Sequence, residues 1–258
     1  MNNIKINLLV KNDKIITMIK IVAGLGENKD INKACEIFKK ENKHVDIKLV
    51  KNDKDLVEAI LDDNVDAVIR GSLPASNVMK ELKTKFSDIS RATYVNGDDM
   101  EFLLTPVGID EGKTVEDKLK IAVECGKFLK KQSKNPKVAV LASGRKGDYG
   151  RSEEISKSID ESEELTKLIK EETDFEVTNH YILIEKALKD KCNIIIAPDG
   201  IIGNIIFRTL VLVNSWPSCG AITFGINGVY IDTSRDQNIK GYLRSLKLAY
   251  KLLIFKNK

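Results

Sequence analysis

From Met18 onward the chain alternates short β-branched runs with amphipathic stretches of helical period, and no other feature restricts its fold as strongly. The apolar runs are Ile19–Ala23, Val45–Val50, Ala67–Ile69, Ala92–Val95, Phe102–Val107, Val138–Ala142, Ile194–Ala197, Ala221–Ile226 and Val229–Ile231. Between them lie periodic stretches such as Asp55–Leu61, Asn77–Phe86, Val115–Leu129 and Glu185–Leu188, and Asn238–Phe255 closes the chain. Strands alternating with helices at this spacing predict parallel sheets covered by helices on both faces. Nine runs are many for one sheet in a chain of 258 residues, and the polar cluster Asn96-Gly97-Asp98-Asp99 offers a boundary. The expectation is two α/β lobes.

Two helix starts are readable. Thr114 stands three residues before Asp117, a short form of the capping box, and Ser152 precedes Glu153-Glu154. A hydroxyl followed by carboxylates suits the first turn of a helix. Residues 1–17 contain Lys11-Asn12-Asp13-Lys14, which breaks any signal-peptide core. They read either as an extension before a start at Met18 or as an extra edge strand.

Several function classes are disfavoured. The 42 Lys and Arg against 38 Asp and Glu give +4, interleaved along helix surfaces, which does not announce a nucleic-acid binder. The longest apolar stretch, Cys192 to Val213, carries Asp199 and Arg208, so no membrane span is expected. Cys35, Cys125, Cys192 and Cys219 are scattered among apolar neighbours and read as small buried hydrophobes in a reducing cytoplasm. With only His44 and His180, neither spaced as a metal ligand, no metal site and no Ser-His-Asp hydrolase is expected.

Ligands of open α/β folds bind where loops leave the carboxyl ends of strands. Ala23-Gly24-Leu25-Gly26-Glu27-Asn28 lacks the third glycine of a dinucleotide fingerprint and reads as a tight turn. Arg70-Gly71-Ser72 through Ser76 offers a guanidinium and hydroxyls to an anion, or ordinary turn and cap chemistry. Ser143-Gly144-Arg145-Lys146-Gly147-Asp148-Tyr149-Gly150-Arg151 combines three glycines with three cations, which points to phosphate or carboxylate. Asp199-Gly200 leads into an apolar helix bearing Gly203 and Asn204, where Asp199 is a candidate binder or a helix cap. Thr233-Ser234-Arg235-Asp236 sets a cation beside a helix start, a mismatch with the dipole that an anion would relieve.

Taken in order over residues 18–258, these segments resemble the phosphate acetyl/butyryl transferase superfamily. The matching pieces are Asp66-Ala67-Val68-Ile69-Arg70-Gly71-Ser72, Glu101-Phe102-Leu103-Leu104-Thr105, and Pro136-Lys137-Val138-Ala139-Val140-Leu141-Ala142-Ser143. Pro198-Asp199-Gly200 with Gly203-Asn204, and Thr233-Ser234-Arg235-Asp236, complete the set. More narrowly, the length and the 143–151 loop resemble methanogenesis marker protein 4, an archaeal family labelled methyltransferase subunit X.

The resemblance implies two three-layer α/β/α lobes with a cleft between them, as in isocitrate and isopropylmalate dehydrogenases. Residues 1–97 plus 232–258 would form one lobe and 98–231 the other. It implies anion binding by Ser234 and Arg235, with Ser234 and Asp236 as the catalytic pair. Two departures stand out: the acid follows Arg235 directly, and Pro106 occupies a place where relatives have Asp. Substrate contacts are expected from Arg70, Ser72, Ser76, Ser143, Gly144, Arg145, Lys146, Arg151, Asp199, Asn204, Ser234 and Arg235. The expected partner is a small anion such as phosphate or a CoA-type substrate, with no permanently bound cofactor, no S-adenosylmethionine site, and room for a homodimer. A methyltransferase and a non-catalytic ligand-binding or assembly factor are the rival readings.

Overall fold

The computed structural model describes residues 18–97 and 100–256, without the side chains of 75, 76, 255 and 256. The expectations for residues 1–17 therefore lie outside the described residues, as does the side chain of Ser76. The strands are β1 (Ile19–Gly24), β2 (Val45–Val50), β3 (Ala67–Ile69), β4 (Ser90–Gly97), β5 (Met100–Thr105), β6 (Lys137–Leu141), β7 (Glu176–Tyr181), β8 (Ile194–Ile196), β9 (Ser218–Phe224) and β10 (Val229–Asp232). The helices are α1 (Asp30–Glu41), α2 (Asp53–Leu61), α3 (Ala75–Lys85), α4 (Val115–Lys131), α5 (Glu153–Glu172), α6 (Ile184–Lys189), α7 (Gly200–Phe207) and α8 (Ile239–Lys256). A π-helical turn, Arg208–Val213, continues α7.

All nine apolar runs lie in strands, but they share one sheet instead of two, in the order β2-β1-β3-β10-β9-β4-β5-β8-β6-β7. The blocks β2-β1-β3-β10 and β5-β8-β6-β7 are parallel, as the sequence predicts. The centre is not: β9 runs antiparallel to β10 and β4, and β4 antiparallel to β5. Asn96 and Gly97, from the polar cluster expected to separate two sheets, instead belong to β4 and pair with Glu101 and Met100 of β5. The chain passes between the two parallel blocks through α3 and the antiparallel pair β4 and β5, and returns through α7 and the antiparallel pair β9 and β10. Two lobes thus share one pleated backbone.

The strand pleat alternates side chains between the faces. On one face Ile21, Ile69, Ala92, Leu103, Val140, Ile194 and Ile231 contribute to a single core that runs under α1, α8, α4 and α5. On the other face the core is split. Val22, Val68 and Tyr230 pack with α2 and α3 at one end, while Phe102, Leu104 and Ile195 pack with α6 and the π-helical turn at the other. The middle strands between these clusters carry no helix, which leaves a cleft with Arg91, Thr93 and Asp232 in its floor.

Helix boundaries follow local chemistry. The Thr114 and Ser152 hydroxyls accept from the N–H groups of Asp117 and Ile155, at 3.1 and 3.2 Å. Asp199 caps α7 by accepting from the N–H groups of Ile201 and Ile202, both at 2.8 Å. Asp199→Ala should cost about 1 kcal/mol, read by chemical denaturation, because an N-cap carboxylate on an apolar helix has no substitute. A change below a few tenths would refute the capping role. The four cysteines are free; Cys35, Cys125 and Cys192 are buried and Cys219 is partly so. Burial pushes the thiols of Cys35, Cys192 and Cys219 up, to about 12, 11 and 11, and raises that of Cys125 as well. None is suited to act as a nucleophile at neutral pH.

Candidate functional site

The cleft holds a cavity of about 790 Å³ bounded by α3, the 107–110 loop, the end of α7 and the 232–237 segment. Alternation along the strands explains its floor. Val68 packs in the core under α2 and α3, so Arg70, two residues on, emerges on the same side beyond the strand end. Arg91 and Thr93 share the phase of Val95, and Asp232 that of Tyr230.

These residues form a buried charged chain. Asp232 accepts from Arg70 through one carboxylate oxygen and from Arg91 through the other. Arg91 also donates to Glu111, at 2.7 Å. Arg70 donates in addition to the carbonyls of Leu73 and Thr233. Two guanidiniums and two carboxylates are thereby enclosed with no net charge. Burial would raise the Asp232 carboxyl, but the charges of Arg70 and Arg91 and their hydrogen bonds prevail and hold it below the usual carboxylate range. An acid so firmly ionised is a structural anchor and a poor proton acceptor. Arg70, expected as an anion binder, has all three of its guanidinium nitrogens engaged by the protein.

The 234–237 segment is pinned through its backbone. The Asn28 amide donates to the carbonyls of Arg235 and Gln237 at 3.0 and 2.8 Å, and the Tyr242 hydroxyl donates to that of Arg235 at 2.9 Å. The Arg235 side chain is left exposed at the cavity, with no ion pair or hydrogen bond among the described residues. Two residues further along the chain, Gln237 is 6% exposed, and its Nε2 is a buried donor with no acceptor among the described residues. Ser234 and Asp236 line the same cavity, and the Ser234 Oγ accepts from the Asp236 N–H at 3.3 Å. Lys80 and Arg208 are further exposed cations at the cavity with no partner among the described residues.

Of the residues named from sequence, the structure gathers Arg70, Asn204, Ser234, Arg235 and Asp236 at this cavity. Asn204 fixes the wall by donating to the Val107 carbonyl at 2.9 Å. Ser72 is buried away from it, accepting from Gly26 N–H and donating to the Asn28 carbonyl, both at 2.8 Å. Asp199 is occupied as the α7 cap. Ser143, Gly144, Arg145, Lys146 and Arg151 do not line the cavity. Their loop turns on Asp148, which accepts from Arg145 N–H and Arg151, both at 2.8 Å. Ser143 meets Ser158 at 3.2 Å, and Lys146 lies 3.8 Å from Glu163. Sequence reasoning missed Arg91, Glu111, Gln237, Lys80 and the position of Arg208 at the cavity. Only the odd placement of Arg91 within a strand and of Arg208 within an apolar stretch could have signalled them.

Relatives share this chain's span. An "uncharacterized methyltransferase" of Methanocaldococcus jannaschii is 39% identical over 242 residues, which is 89% of this chain and 96% of the relative. A Methanosarcina barkeri protein named "Putative methyltransferase mtx subunit X" is 37% identical over 71% of this chain and 68% of its own length. The chain belongs to this archaeal mtx subunit X family. No protein-family model matches it. Among solved structures, a branched-chain phosphotransacylase from Enterococcus faecalis superposes with a TM-score of 0.73 at 16% identity, covering 92% of this chain and 99% of that one. A Streptococcus pyogenes phosphotransacetylase gives 0.67 at 15% identity, over 92% and 94%. A β-decarboxylating dehydrogenase from Thermococcus kodakarensis gives 0.59 at 12%, over 93% and 84%. The mtx subunit X fold is therefore the two-lobed α/β fold of these transferases and dehydrogenases. Among the described residues no cluster of His, Cys, Asp or Glu is arranged to hold a metal, and no helix is long and apolar enough to cross a membrane.

Proposed function

We propose that the chain is a transferase that holds a small anionic substrate, with a phosphate, carboxylate or CoA-type group, in the cleft between lobes 1–97 plus 232–258 and 98–231. The observation that carries this reading is the pair of donors at one cavity that no described residue uses: the exposed Arg235 guanidinium and the Ser234 hydroxyl. A guanidinium and a hydroxyl side by side suit an oxyanion, because hydrogen bonds to a charged group are the stronger kind. Fixed donors facing developing negative charge are the strongest contribution to acyl-transfer catalysis. No covalent nucleophile is required when an acceptor is held in line for attack, and in this reading Asp236, which lines the cavity, takes its proton. The Arg145, Lys146 and Arg151 loop is assigned a lesser part, outside the cavity.

Arg235→Ala should weaken binding of inorganic phosphate by at least about tenfold in isothermal titration, which is about 1.4 kcal/mol. Its thermal midpoint should stay at the wild-type value, because the side chain is exposed. Equal phosphate affinity in the two proteins would end this assignment.

The names of the relatives favour a second reading, methyl transfer, which the resemblance to methanogenesis marker protein 4 would link to methanogenesis. Titration with S-adenosylmethionine separates the two readings. Saturable binding that Arg235→Ala leaves intact would favour methyl transfer from a site other than the anion pocket.

A further inference from the structure

We infer that Arg208 forms a second anion subsite on the wall opposite Arg235, so that the substrate carries two separated anionic groups joined by an apolar stretch. This inference rests on the anion-binding reading of the cleft. Three observations support it.

First, Arg208 reaches the cavity from the second parallel block, whereas Arg235 reaches it from the loop after β10 in the first. Both guanidiniums are exposed and without protein partners among the described residues, in contrast to Arg70 and Arg91 in the floor, whose charge is fully matched. A floor that is neutral and a rim that is cationic set the field at the rim and not at the base. A single small anion on Arg235 leaves the charge on the far wall unmatched.

Second, part of the cavity lining is apolar. Val107, Ile109, Phe207 and Met79 line the cavity, and Ile109 is 70% exposed. An exposed β-branched residue at the mouth of a charged cleft is surplus for an inorganic ion, but it contacts the body of a longer ligand.

Third, the backbone is shaped to present Arg208. Asn204, Phe207 and Arg208 stand at helical spacing on the side of α7 that faces the cavity. The next turn is π-helical, closed by the Asn214 N–H on the Thr209 carbonyl at 2.9 Å. The wider turn brings Leu210, Val211 and Leu212 together onto the core under α7, although Arg208 directly before them stays outside it. Single π-turns of this kind are uncommon and recur at functional sites. Here the turn reconciles a packed apolar segment with one cation held at the cleft.

Two linked anionic groups gain over one through effective concentration, and only when the linker spans the sites. The test uses inorganic phosphate and a series of α,ω-alkanediphosphonates of increasing chain length, titrated into the full chain and into Arg208→Gln and Arg235→Gln. The expected result is an optimum length that binds at least about tenfold tighter than phosphate. Arg208→Gln should abolish that optimum and leave phosphate affinity within about twofold, whereas Arg235→Gln should weaken both ligands. Arg208→Lys should restore part of the gain. Three outcomes overturn the inference. Wild type that binds phosphate with no length optimum removes the second subsite and leaves the proposed function standing. A length optimum that survives Arg208→Gln assigns it to another residue. Wild type that binds neither phosphate nor any diphosphonate removes both readings together.

Discussion

Asp232→Asn should lower folding stability by roughly 3–5 kcal/mol, the range seen when one partner of a buried ion network is removed. The carboxylate is the shared acceptor of Arg70 and Arg91, and all three side chains are less than a tenth exposed. Asparagine keeps the shape and deletes the charge. Two buried guanidiniums then face a single remaining carboxylate, that of Glu111, whose Oε2 is buried with no hydrogen-bond partner among the described residues. At this chain length each kcal/mol moves the thermal midpoint by about 2–4 °C, so the shift should be roughly 6–20 °C. Asp236→Asn, an exposed change four residues away, should stay within about 0.5 kcal/mol. Denaturant midpoints for the pair check the expectation, and a loss below 1 kcal/mol for Asp232→Asn would contradict it.

The same network fixes the sign of an acid effect. Folding holds the Asp232 carboxyl below its usual value, because the pull of the two arginines exceeds the burial penalty. A depressed carboxyl contributes its full stabilisation above the unfolded value near ~3.9 and loses it as pH falls through the lower folded value. The stability gap between wild type and Asp232→Asn should therefore narrow below about pH 4 and stay constant above it. A gap that widened in acid would show that folding raises the Asp232 carboxyl instead of lowering it.

The strands were legible because a pleated sheet buried on both faces demands continuous β-branched runs, such as Ile194–Ile196. β7 was not, because Glu176–Tyr181 pairs with β6 alone among the described strands and buries few apolar groups besides Val177. α1 gave no start signal, since Lys29 makes no side-chain cap. The site split along the same line. Ser234 and Arg235 sit in a loop after a strand, where local residue types reveal chemistry. Arg91 meets Asp232 across 141 residues, and no local pattern encodes that pairing. The antiparallel centre that brings them together is set by β4 and β9, and the apolar runs do not reveal strand direction. The 143–151 loop has the composition of an anion site, but composition could not tell that it lies away from this cavity and that Asp148 binds the Arg145 N–H and the Arg151 guanidinium.

The glycines that shape the cleft are Gly200 and Gly203, and Gly203→Ala should destabilise by about 1–3 kcal/mol while weakening phosphate binding. A Cβ at Gly203 would sit 1.8 Å from the Pro106 carbonyl oxygen, and one at Gly200 would sit 1.7 Å from that of Gly108. Three residues apart, they lie on one face of α7 and let the helix rest directly on the 106–108 backbone. The obstructing atoms are main chain, so no rotamer change relieves the contact. Alanine in a helix interior would ordinarily gain about 0.5–1 kcal/mol over glycine. That gain is smaller than the cost of forcing two backbones apart, so the net effect should be a loss. Either the helix or the 106–112 loop must then move, and both carry cavity residues: Asn204, Phe207 and Arg208 on one side, Val107 and Ile109 on the other. Gly147→Ala is the contrasting case, since a Cβ there meets nothing within 4 Å, and it should stay within about 0.5 kcal/mol with unchanged phosphate affinity. Measuring stability and phosphate titration on both variants decides the matter. A Gly203→Ala protein as stable as wild type, with undiminished phosphate binding, would mean that α7 does not depend on this close approach and that the cleft wall is not set by it.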